Sequence, residues 1–320
     1  MAEENPSVDY RLRDDDRHIH HDWSCDHDPV LTVSPGETVQ FDCRSAATVS
    51  GPDATVEDLG TETWRGHPLT GPVAVETASP GDVLAVELLD FQPLGYGYTY
   101  FYPSDAKKGL LSEEFARPAL YVWDIEDGVA EFVDGIKIPI DPFPGCVGVA
   151  PVEPGPHDTM PPRGVGGNLD VKHLTAGSTV YLPVKVDDAL FSLGDCHAAQ
   201  GDGEVCVTGI EAPMSVTARF DVRSDLDIRQ PQFETTGPFT PTGSDGPTYA
   251  TTGIDSDLME ATKKAIRHMI EHLHDRRSLS RSDAYLLCSV AVDLKINQVV
   301  DEPNWTVSAY LPRTLFPSDP

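Results

Sequence analysis

"TASPGDVLAVELLD", residues 77–90, sets a Pro-Gly turn directly in front of an apolar run. Proline presets φ and glycine accepts φ > 0, which suits the two central positions of a type II turn. In the run, Val83, Ala85 and Glu87 alternate with Leu84, Val86 and Leu88, the two-residue period of a strand. The unit recurs loosely in "TVSPGETVQFDC" (32–43) and "LTAGSTVYLPVKV" (174–186), each with a small-residue turn before an apolar strand. The chain of 320 residues holds 26 Gly and 28 Pro, too many for a helical protein. Short strands with turn signals at this spacing predict a mainly β fold with a jelly-roll-like β-sandwich core.

The pattern changes near residue 255. There Leu258, Ala261, Ala265, Ile266, Met269, Ile270 and Leu273 fall at helical spacing behind Asp255 or Ser256 as N-cap. A second helix is expected in "SLSRSDAYLLCSVAVDL", with Ser280 and Asp283 at capping-box-like spacing, and a last strand in "WTVSAYLP" (305–312). The expected organisation is a core over 1–222, a polar connecting segment over 223–254, and a smaller C-terminal α+β appendage over 255–320.

The totals narrow the function. There are 23 basic and 52 acidic residues, a net charge of −29. Such a surface repels phosphate, which argues against nucleic acid and anionic membranes as partners. The acidic residues are spread along the chain rather than held in one block, so a disordered acidic tail is disfavoured. The composition reads instead as a fold built for high salt. Its self-repulsion should weaken as the Debye length falls from about 8 Å near 0.15 M salt to about 3 Å at 1 M. The melting temperature is therefore expected to rise between those two salt concentrations, and a flat response in calorimetry would remove the halophile reading. The opening "MAEENPSVDYRLRDDDR" has no apolar signal core, no 18-residue apolar run exists, and the six cysteines show no CxxC spacing. A cytoplasmic protein with free thiols is expected.

"FSLGDCHAAQGDGEV" (191–205) concentrates metal-capable side chains. On a strand, Asp195 and His197 are i and i+2 and share a face. With the Gly-Asp-Gly around Asp202 as a tight hairpin tip, and Val205–Ile210 as the returning strand, Glu204 lands on that face as well. A one-residue slip would turn it away. Imidazole with carboxylates suits a borderline cation such as zinc, and three ligands plus water is the open arrangement that acidifies bound water. Calcium is the second choice of metal. Upstream, "PPRGVGGNLDVKHL" ends its glycines at Asn168 and Asp170, another i, i+2 pair, but it is not a dinucleotide fingerprint. In the leader "RHIHHDW", His18 and His20 share one strand face.

These stretches, with "HPLTGPVAVETASPGDVLAVEL", "PFPGCVGVAP" and "LSRSDAYLLCSVAVDLKINQVVD", resemble the acetamidase/formamidase family, in order along the chain from about residue 18. The GD-x-HA-x-x-GDGEV block is the specific part of the likeness. The resemblance implies hydrolysis of small aliphatic amides to carboxylate and ammonia, a jelly-roll-like core, homo-oligomers, and a metal-containing site around the block. Positions matching the motif are Asn168, Asp170, Asp195, His197, Asp202 and Glu204. The chain departs from the family at Val75–Asp82, "VETASPGD", and in its His/Asp-rich leader.

On that footing Asp170, Asp195 and His197 are the expected ligands, Glu204 a further ligand or the general base, and Asn168 a donor to the amide or to a ligand. Cys146, expected in a Gly-flanked turn, is the rival nucleophile, since Cys196 should face away from His197. No GxSxG elbow exists for a serine hydrolase. Outside enzymes, a jelly roll can be a non-catalytic binding module for a sugar or small polar ligand. Its aromatic platform would be Tyr96, Tyr98 and Tyr100 in "GYGYTYFYP".

Overall fold

All three turns of the recurring unit close with an i to i+3 hydrogen bond: Glu37 N–H to Ser34 O, Asp82 N–H to Ser79 O and Ser178 N–H to Thr175 O. At the second of them Gly81 has φ +105°, the conformation the Pro-Gly pair anticipates. The computed structural model describes residues 6–47, 49, 51–60, 64–103, 109–235, 247–299 and 303–316.

The strands that follow the three turns, Thr38–Cys43, Val83–Pro93 and Thr179–Pro183, all lie in the first of two sheets that face one another. The first holds, in spatial order, Tyr10–Leu12, Thr38–Cys43, Met214–Arg223, Val83–Pro93, Thr179–Pro183 and Gln232–Glu234. Only Tyr10–Leu12 pairs in parallel within it. The second runs Gly166–Asn168, Phe143–Gly148, Phe191–His197, Leu69–Val75 and Ile19–His20, with Leu31–Val33 parallel beside Leu69–Val75. A four-stranded extension, Lys137–Pro139, Val129–Glu131, Ala119–Glu126 and Tyr96–Phe101, continues this layer. The seam between them is Glu211, whose backbone bridges both Tyr98 and His197. Between the layers, Phe191 meets Phe41 and Phe220 edge-on at centroid distances of 5.8 and 5.1 Å, all three fully buried. Burial of such aromatic side chains, about 1.5–3 kcal/mol each, is what holds the layers face to face.

The C-terminal part is a three-stranded sheet in the order Thr248–Asp255, Trp305–Pro312, Asp293–Gln298. The helix Leu258–Arg277 packs on it and buries Ala261, Ala265, Ile266, Met269, Ile270 and Leu273, the face read from periodicity. Its N-cap is Asp257, whose side chain accepts the Glu260 N–H; Asp255 instead ends a strand and pairs with Lys264. Ser280 caps the second helix, Arg281–Ala291, by accepting the Asp283 N–H. That helix stops at Ala291, and the "DL" at 293–294, expected to be helical, opens a strand instead. The polar segment 223–254 also hides two strands. Thr248–Asp255 is exposed along most of its length, so it carries no apolar alternation to read. No helix among the described residues is long and apolar enough to cross a membrane.

Candidate active site

The strand Phe191–His197 is fully buried and supplies the centre of the site. Asp195 and His197 project to one side, with Asp195 Oδ1 3.6 Å from His197 Nε2. The expected hairpin does not follow. After His197 the chain pairs instead with residues 210–212: Ala198 N–H bonds Ile210 O and Ile210 N–H bonds Ala199 O, both at 2.8 Å. Residues 200–209 coil out as a loop, and Val205–Ile210 is not a strand. Two successive turns make the loop, Glu204 N–H to Gly201 O at 3.1 Å and Val207 N–H to Glu204 O at 3.0 Å. The Gly-Asp-Gly turn therefore forms without joining two strands.

This register places Glu211 opposite His197. Glu211 Oε1 lies 3.0 Å from His197 Nε2, and Glu204 Oε1 reaches the same nitrogen from the loop at 4.0 Å. His197 Nδ1 meets Gln200 Oε1 at 2.8 Å, an acceptor, so Nδ1 carries a proton and Nε2 faces the carboxylates. From the strand Leu69–Val75 side comes His67, anchored to Thr159 Oγ1 by its N–H and Nδ1, with Nε2 3.6 Å from Asp195 Oδ2. Asp170 enters beside Gly145, where an added Cβ would lie 2.7 Å from both Asp170 Oδ1 and Asp195 O. Asp170, Asp195 and Glu204 all sit at positive φ, between +41° and +53°. Such strain collects where a side chain must be aimed.

These groups floor a cavity of about 300 Å³ whose walls include Trp64, Tyr100, Tyr102, Met160 and Val207. Burial, with the Asp195 charge adding, outweighs His197 and lifts the Asp170 carboxyl to about 6. Burial and then Asp170 push Glu204 well up, and burial brings Glu211 to about 7. At Asp195 burial is overcome by the charge of His67 and by the hydrogen bond and charge of His197, which hold the carboxyl below its usual range. At His197 burial is overcome by Glu211 and Asp195, which raise it.

The donors fit a cation. Three overlapping sets, His67–Cys146–Asp195, Asp170–Asp195–His197 and His197–Glu204–Glu211, hold ligand atoms within 4.8 Å of one another. The 3.6 Å separations around Asp195 are long for hydrogen bonds but close to the roughly 3.3 Å between ligands at about 2.0 Å from a tetrahedral ion. Asp170 Oδ1 is buried without a hydrogen-bond partner among the described residues. Carboxylates around two imidazoles leave negative charge to be balanced.

Of the sequence candidates, Asn168, Asp170, Asp195, His197 and Glu204 line the cavity, whereas Cys146, Asp202, His18 and His20 do not. Cys146 lies beneath it in the strand Phe143–Gly148, not in a turn, with Sγ donating to Asn168 Oδ1 at 3.4 Å and to Asp195 Oδ2 at 3.6 Å. Burial, then Asp195 and Asp170, push its thiol well up, so it stays protonated and weakly nucleophilic. Asp202 points to the far side of the loop, 3.6 Å from Lys172, which also pairs with Asp293. His20 bonds Asp22 O and Ser192 Oγ at 2.7 and 2.8 Å, and burial lowers it to about 4, a neutral packed histidine. His18 bonds Arg13 O. Tyr96, Tyr98 and Tyr100 do share a face, but Tyr98 and Tyr100 are buried and form no exposed platform. Sequence reasoning missed Glu211, and it missed His67 although that residue heads the family-like stretch "HPLTGPVAV", because neither sits at strand parity with the Asp195–His197 pair.

The sequence profile of the Acetamidase/Formamidase family matches residues 7–156 and 154–318. A formamidase of Methylophilus methylotrophus is 25% identical over 98% of this chain and 93% of its own. Among solved structures, a gamma lactamase from Delftia acidovorans superposes with a TM-score of 0.88 at 26% identity, covering 97% of this chain and 94% of that one. An acetamidase from Bacillus halodurans does so with a TM-score of 0.65 at 30% identity, covering 94% and 97%.

Proposed function

Because the chain belongs to the acetamidase/formamidase family and is a hydrolase acting on amides, we propose that the cavity above His197 is its active site, cleaving small aliphatic amides to carboxylate and ammonia. The observation that carries this reading is the convergence of Asp170, Asp195, His197 and Glu204 on the floor of one apolar-walled cavity. Asp170, Asp195 and His197 would hold a divalent cation, zinc by the donor chemistry. Such a cation, when bound, supplies Lewis-acid polarisation of the carbonyl and acidifies water near neutral pH.

The chain's own groups do the rest. Glu204, with a raised pKa, takes a proton from the attacking water and returns it to the amide nitrogen as the C–N bond breaks. Asn168 lines the cavity and is held by Met160 O, 3.2 Å from its Nδ2, and by the Cys146 thiol, which leaves its second N–H for the substrate amide. Gln200 fixes the His197 tautomer from behind and is itself tied to Asp170 O at 3.0 Å.

A second reading has one observation in its favour. About 300 Å³ is at the lower end of pockets that enclose drug-sized ligands, and the Trp64, Tyr100, Tyr102 and Met160 walls suit an amide with an apolar body. The Delftia relative is a lactamase, so a five-membered lactam is the natural probe. Its opening leaves the amine on the product and releases no ammonia. The test measures metal content of the purified protein together with product formation on formamide, acetamide, longer amides and a γ-lactam. Ammonia from the linear amides, lost on chelation, is the expected outcome; turnover of none of them by metal-loaded protein would reject the proposal.

A further inference from the structure

The loop that carries Glu204 contains two backbone outliers, and the second helix holds them in place. Glu204 has φ +41° and the β-branched Val207 has φ +87°, and both line the cavity. Backbone of this kind persists only where its surroundings over-determine it. The surroundings here are two residues one turn apart on the Arg281–Ala291 helix. The carbonyl of Ser289 accepts the Gly201 N–H at 2.8 Å. Its Oγ accepts the Cys206 N–H at 3.0 Å and donates to Thr208 O at 2.8 Å. Ser289 is wholly buried, so water cannot replace these bonds. The Tyr285 hydroxyl donates to Val205 O and accepts the Leu111 N–H at 2.8 Å, while its ring stacks on Phe115. The chain is thus tied on both sides of Glu204, and Ser289 alone takes part in three of the ties.

We propose that Ser289 is a positioning residue for the Glu204 proton transfer, and that the C-terminal helical part serves catalysis by clamping this loop; the inference rests on the role given to Glu204 above. Ser289→Ala removes the Cys206 and Thr208 ties and leaves the carbonyl tie to Gly201. A displaced relay lowers the chemical step more than binding, so kcat should fall about 10- to 100-fold with KM little changed. A merely structural role would lower the melting temperature without this split.

The test is a double-mutant cycle with Glu204→Gln, rates being measured below the melting temperature of each variant. Ser289→Ala should lower kcat in the native background and add nothing once Glu204 is Gln. An equal loss in both backgrounds, or full kcat in Ser289→Ala, overturns this inference alone. Full kcat in Glu204→Gln overturns the role of Glu204 and the inference with it. Should Ser289→Ala fail to fold, Tyr285→Phe, which keeps the stacked ring, carries the same cycle.

Discussion

Glu204→Gln should keep its metal and lose turnover by roughly 10²–10⁴-fold, the range a positioned general base contributes. The substitution preserves size and polarity at a half-buried position whose φ of +41° is set by the loop. The carboxylate lies 4.0 Å from His197 Nε2, farther than that of Asp195 at 3.6 Å, which suits a proton carrier better than a ligand. Burial and the neighbouring Asp170 raise its pKa, which makes the carboxylate a stronger base than an exposed one. Were Glu204 a ligand, the neutral amide would lower metal content along with the rate. Were it only a turn residue, both would persist with a stability loss on the order of 1 kcal/mol. Metal stoichiometry and rate on this one variant separate the three, and an unchanged rate removes Glu204 from the chemistry.

The second large effect is expected at Asp195. It is shared between His67 and His197, 3.6 Å from each, and belongs to two of the three candidate ligand sets. Asp195→Asn suits the test because asparagine tolerates the left-handed backbone, φ +53°, as readily as aspartate does. The fold should therefore survive. Metal content should drop to traces and turnover fall on the order of 10³-fold or more, since Lewis-acid assistance is worth several kcal/mol. A readout independent of activity accompanies it. Zinc at a hundred times its dissociation constant stabilises a native state by about 2.7 kcal/mol, so the melting temperature of the parent should rise with added zinc and that of Asp195→Asn should not. Stoichiometric zinc in the variant would show that Asp195 is not a ligand.

The same two residues mark how far the sequence could be read. That Asp195 and His197 share a face follows from strand parity, which is local. Glu204 reaches that face as well, but not for the reason parity suggested, because the returning strand it was assigned to does not exist. A Gly-Asp-Gly turn is a local signal and it does form; whether strands pair immediately on either side of it depends on what the following residues meet across the molecule. Here Val205, Cys206 and Thr208 find partners on the second helix, and pairing with the His197 strand is deferred to residues 210–212. Glu211 was therefore invisible as the residue facing His197.

What the sequence determined by itself was every feature decided by neighbours along the chain. The Pro-Gly turns and two-residue alternation specified a sandwich of strands, the spacing of Ala261 to Leu273 specified the buried face of a helix, and Trp305–Pro312 was legible as a strand. The helix cap was misplaced to Asp255 or Ser256 because Asp255, Ser256 and Asp257 offer equivalent oxygens, and only the strand ending at Asp255 leaves Asp257 to cap. Tertiary structure alone decided which distant side chains share one space: it brought His67 to Asp195, turned Asp202 toward Lys172, and sank Cys146 beneath the cavity floor. The reason is physical. Turn and strand preferences act over a few residues, whereas these approaches are set by strand order and register between segments far apart in the chain. Closing a longer loop costs only about 0.6 kcal/mol per doubling of its length, so local signals barely discriminate among the registers that long-range packing then selects.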